Sequence, residues 1–73
     1  LPVDQRERAR LVIELCRRAL MNRVCGDPSE SLEDEISKVA RDLPSGLRAE
    51  LHDKMLTSWG RAAESASSAV YAN

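Results

Sequence analysis

Apolar residues in the first third of the chain return at steps of three and four. Ala9, Val12, Ile13, Leu15, Cys16, Ala19, Leu20 and Val24 follow the spacing of one side of an α-helix. Asp4 is a suitable N-cap with Gln5 and Glu7 behind it, and Gly26 can supply a left-handed residue just past the end. The pattern therefore predicts a first helix over about 4–25, roughly 30 Å long at 1.5 Å per residue. Its apolar arc covers about half of the helical wheel, and Leu11 widens it further, whereas a helix on the surface of a domain needs a stripe of little more than about 100°. This helix offers more apolar surface than one neighbour can cover.

Gly26, Asp27, Pro28 and Ser29, and then Pro44, Ser45 and Gly46, punctuate the rest. Between them Leu32, Ile36, Val39 and Leu43 form a narrow stripe on an otherwise polar helix over about 29–43. It opens on the capping-box-like Ser31-Leu32-Glu33-Asp34, or one turn earlier at Asp27 before Pro28. After Ser45, an N-cap candidate, Leu47, Leu51, Met55, Trp59, Ala62, Ala66 and Ala69 keep the helical period, which predicts a third helix over about 45–70. Gly60 inside it costs roughly 1 kcal/mol relative to Ala, and the serines from Ser65 to Ser68 favour fraying. No window alternates with period two. The expected fold class is all-α: one helical domain over 1–73, with two long helices and a short central one in a small bundle. Such unequal helices leave the distal half of helix 3 and one side of helix 1 uncovered. The simplest cover is a second copy in a C2 dimer, with Leu11, Leu15, Trp59, Ala62 and Ala66 in the contact. Trp59 then either anchors the monomer core or fills a pocket across that interface.

Composition strengthens the case for a partner. Only Trp59 and Tyr71 are aromatic among the 73 residues, and chains of this length hide only about 60% of their unfolded surface, so a single core seldom supplies more than about 3–5 kcal/mol. Disulfides and metals are the other usual supplements. Cys16 and Cys25 are nine residues apart, about 13 Å along a helix, too far to pair with each other. With one histidine, His52, and no CxxC there is no metal site to expect. Unpaired cysteines suit a reducing, intracellular compartment. No run approaches 18 apolar residues and the first residues lack a signal-peptide pattern, so a soluble chain with no membrane partner is expected.

The total of eleven basic and twelve acidic residues hides an uneven distribution. Residues 1–25 carry six arginines against three acids, and residues 26–43 carry six acids against two bases. Glu7, Arg10, Glu14, Arg17 and Arg18 stand at i,i+3 and i,i+4, as on an ordinary solvated face. Arg6, Arg10 and Arg17 also project within about 40° of one another, with Arg18 on the flank. Doubled by a dimer axis, that row could span the phosphates of a nucleic-acid duplex. There is no glycine-rich phosphate loop, GxSxG or HExxH, so no catalytic residue and no cofactor is expected, and His52 reads as a packing histidine. The functional expectation is a non-enzymatic helical oligomerisation or protein-interaction module. Its first partner is itself; a heterologous helical protein, or double-stranded RNA or DNA held by the arginine row, are the alternatives.

Overall fold

A computed structural model describes residues 3–72, the side chain of Val3 excepted. Helix α1 spans Val3–Val24, α2 Glu30–Ala40, α3 Ser45–Trp59 and α4 Glu64–Ser68, with a 3-10 turn over Gly60–Ala63 joining the last two. No strand occurs among the described residues, and the fold is a small all-helical bundle.

Gly26 ends α1. At φ +81° its N–H reaches the Arg23 carbonyl at 3.1 Å, and the next amide, Asp27, reaches Asn22 at 2.7 Å. These are the two bonds of a Schellman cap, and Pro28 then forbids any return to the same helix. Asn22 Nδ2 holds the connection by donating to the Pro28 carbonyl at 3.4 Å. The chain re-enters a helix at Glu30, with Ser29 at the N-cap position making no side-chain cap bond. The expected capping box at Ser31 is not used. Helix α2 runs back along α1: Arg8, near the start of α1, donates to the Val39 carbonyl at 3.4 Å and pairs with Asp42 at 3.4 Å. Ile36, Ala40 and Leu43 are buried against α1, with Leu32 and Val39 half-buried beside them.

The largest departure from the sequence expectation is in the third helix. It stops at Trp59 instead of continuing to about residue 70, because Gly60 takes φ +67° and ψ −157°, a backbone region open essentially only to glycine. The last segment folds back onto the bundle, and Ala63, Ala66, Ser67, Ala69 and Val70 are all buried. Cys16 Sγ lies 3.7 Å from the Ala66 carbonyl, linking α1 to this segment. Ser37 Oγ donates to the Ala69 carbonyl at 2.8 Å, linking α2 to it. The serine-rich end expected to fray is therefore a packed layer. The alanine stripe, read as a seat for a second chain, receives α1 of its own. The Cα radius of gyration, 11.2 Å, matches the roughly 11 Å typical of a compact domain of this length. One chain suffices to close this core.

Candidate interaction surface

The core divides the circumference of α1. Ala9, Val12, Leu15, Cys16 and Ala19 point inward and are buried, whereas Leu11, Ile13, Met21 and Val24 remain 46%, 37%, 55% and 70% exposed. Exposed aliphatic side chains occur singly on any protein surface. Four on a single helix, none covered by the chain, mark this helix as the candidate surface. Leu11 stands with Asp4, Glu7 and Arg8 along one flank. Met21 opens into a shallow groove of about 490 Å³ that it shares with Glu14, Arg17, Arg18, Asn22 and Leu32 of the α1/α2 seam.

The five expected contact residues do not share one surface. Leu15 and Ala66 fill the chain's own core, so a partner docking onto this fold would not touch them; Ala66 is placed there by the reversal at Gly60. Trp59 is half-buried against the same core, the first of its two anticipated roles. Leu11 and Ala62 are exposed, the latter on the 3-10 turn. The aliphatic residues facing away from the core, Ile13 and Val24 above all, are instead members of the wide helix 1 arc that the sequence displays without saying which half the core takes.

Of the four arginines in the proposed row, Arg6, Arg10 and Arg17 lie on the exposed side of α1, with Arg18 on its flank. Glu14 accepts from Arg17 Nη2 at 3.0 Å and sits 3.8 Å from Arg18 Nε. Its carboxylate partly neutralises this end of the row. Ile13 stands between Arg10 and Arg17 and Val24 continues the same side at the end of α1, an arrangement better suited to a protein surface than to a phosphate backbone, which offers aliphatic groups nothing to pack on. Four of the acids of residues 26–43 lie on α2: Glu30, Asp34 and Glu35 face solvent and Glu33 is half-buried.

His52 is half-buried, its Nδ1 3.8 Å from Asp53 Oδ1 and its ring in an edge contact with Tyr71 at 5.2 Å between centroids. Among the described residues no three of His, Cys, Asp and Glu converge in a metal-binding arrangement. The two thiols differ sharply. Burial pushes the Cys16 thiol up to about 12, because an apolar interior penalises the thiolate, whereas Cys25 is exposed beside Gly26. A thiol reagent such as dithionitrobenzoate at pH 8 is therefore expected to modify one cysteine per folded chain, Cys25, and to reach Cys16 only after unfolding. Two equally fast thiols would contradict this packing. Because Cys16 holds its proton more tightly folded than unfolded, its contribution to stability is whole below about pH 9 and is lost as the pH rises toward about 12.

No described helix is long and apolar enough to cross a membrane. Comparison of the chain with family models, with curated proteins and with solved structures gives no match.

Proposed function

We propose that this chain is a non-catalytic helical interaction module that associates with a second copy of itself through the outer side of α1. The observation that carries the reading is the division of α1. One half of the helix closes the core, and the other presents Leu11, Ile13, Met21 and Val24 to solvent with no part of the chain over them. The fold-back at Gly60 removes the alanine stripe as a reason for pairing, which leaves α1 as the surface with apolar area to bury. Covering such side chains gains roughly 25 cal/mol per Å². The arginines around them keep that face soluble when alone and set the register when paired. Two unpaired cysteines, one of them exposed, fit a reducing intracellular setting.

Sedimentation equilibrium over a concentration series tests the reading. The expected mass rises toward about 16 kDa, twice the 8.1 kDa of the chain. Ile13→Glu with Val24→Glu should weaken association by at least about tenfold, since each aliphatic group buried contributes roughly 1.5–3 kcal/mol. Helical circular dichroism should be unchanged, because neither side chain is in the core. A constant 8.1 kDa at all concentrations would overturn the proposal. Retention of a short RNA duplex that falls steeply with salt and is lost on Arg10→Glu and Arg17→Glu would replace it with the nucleic-acid reading.

A further inference from the structure

The exposed side of α1 carries a second periodic stripe, distinct from the one that faces the core. Arg6, Arg10, Ile13, Arg17, Leu20 and Val24 follow one another at steps of four, three, four, three and four, the a/d spacing of a two-helix seam. All are exposed except Leu20, which is half-buried. The stripe is about 27 Å long at 1.5 Å per residue, and its order of charged and aliphatic positions is not symmetric end to end. That asymmetry decides how two copies can lie together.

From this order we infer that the second copy docks α1 against α1 in antiparallel register, with the two-fold axis crossing the outer side of α1 at the level of residue 15, so that Arg6 layers against Val24, Arg10 against Leu20 and Ile13 against Arg17 of the other copy. The inference rests on the self-association proposed above and specifies its geometry. A parallel pairing stacks Arg6 on Arg6, Arg10 on Arg10 and Arg17 on Arg17, three like-charge layers out of six along one seam. In the antiparallel register no layer opposes two cations. Each arginine stem instead lies along an aliphatic side chain with its charged head at the rim of the seam. Near the axis Glu14 of each copy comes level with both Arg17 residues. The Arg17–Glu14 pair made within one chain at 3.0 Å then becomes a four-charge cluster of alternating sign shared by the two copies. The acidic outer side of α2 is the competing seat for the arginines. It carries Glu30, Ser31, Asp34, Glu35 and Lys38, with no aliphatic residue to cover Ile13 or Val24, so it matches the arginines only in part and leaves the apolar groups wet.

Thiol cross-linking reads the register directly. In the antiparallel arrangement the two Cys25 residues of a pair lie about 30 Å apart along the seam, and in a parallel one they stand at the same level, on either side of it. Under oxidation with copper–phenanthroline in air, the unaltered protein is expected to yield little disulfide-linked dimer at concentrations where sedimentation finds it paired. An equimolar mixture of Arg6→Cys/Cys25→Ser with Val24→Cys/Cys25→Ser should yield the mixed disulfide as its main product by intact mass. Val24→Cys/Cys25→Ser alone should remain largely reduced. Rapid Cys25–Cys25 bridging in the unaltered protein, or homodimers of the Val24→Cys variant exceeding the mixed species, would overturn the register while the proposal of self-association stood. A protein that sediments as a monomer at every concentration would overturn both.

Discussion

Ile36→Ala is expected to lower the stability of the domain by about 2–5 kcal/mol, enough to leave a substantial unfolded fraction at 37 °C. Ile36 is fully buried at the centre of the α2 stripe, where α2 meets α1 and comes within one turn of the Ser37 hydroxyl that holds Ala69. Truncating it removes several buried methyl and methylene groups and leaves a cavity that neither rigid helix can fill. Single cores of this size hold only about 3–5 kcal/mol in total, so the loss is comparable to the whole. Urea denaturation followed by Trp59 fluorescence would show it as a midpoint drawn close to zero denaturant. Leu11→Ala, at an exposed position of α1, is the matched control and should change stability by no more than about 0.5 kcal/mol. If both variants unfolded at the same urea concentration as the parent, this assignment of core and surface would be wrong.

The second large effect is expected at Gly60, and there the sign matters more than the size. In an uninterrupted third helix Gly60→Ala would stabilise by roughly 1 kcal/mol. With φ +67° and ψ −157° the same change should instead destabilise by about 1–3 kcal/mol. No atom lies within 4 Å of an added Cβ, so the cost comes from the backbone and not from a clash. A chain of 73 residues is within reach of chemical synthesis, which permits a sharper comparison. D-alanine at position 60 has the mirror-image preference and occupies this conformation without strain, so it should hold or raise stability. Destabilisation by L-alanine with tolerance of D-alanine supports the reversal. Stabilisation by L-alanine would restore the straight helix, and with it the exposed alanine stripe.

Those two residues also show which parts of the fold could be read from the sequence. Ile36 belongs to the stripe Leu32, Ile36, Val39, Leu43, whose spacing alone identifies an amphipathic helix and its inward side; the structure buries Ile36 and Leu43 and half-buries the other two. The all-helical class and the stop at Gly26 are legible for the same reason, since each depends on local spacing or on one residue's backbone freedom. Gly60 is different. A glycine within a periodic run signals either a tolerated helix interior or a reversal, and the periodicity of Leu51, Met55 and Trp59 before it continues in Ala62, Ala66 and Ala69 after it. Only the tertiary gain from burying Ala63, Ala66, Ala69 and Val70 against α1 and α2 decides between them, and that gain is non-local. The serines at 65–68 misled for a related reason. Their low helix propensity holds for an exposed end, but Ser67 is buried here and its hydroxyl reaches the Glu64 carbonyl at 3.1 Å.

The candidate surface was legible only in part. The arginine row is visible from spacing because charges stay outside wherever the core falls. The aliphatic residues among them are not, because helix 1 carries apolar side chains over half its wheel and the core could have taken either half. Ser37, Cys16 and Ala66 settle the matter, since they fix where the C-terminal segment lies and hence which side of α1 is left open. Leu15 and Ala66 thereby move into the core, and Ile13 and Val24 emerge as the residues that carry the outer stripe.

Self-association through the outer side of α1 is tested by a dilution series of ¹⁵N–¹H correlation spectra, which reports residue by residue where association occurs. Resonances that change with concentration are expected to belong to the outer side of α1, led by Arg10, Ile13, Arg17 and Val24. Amides of α3 and of the segment over 60–70 should hold still. Spectra independent of concentration, or concentration-dependent shifts centred on Trp59, Ala62 and the last segment, would contradict it.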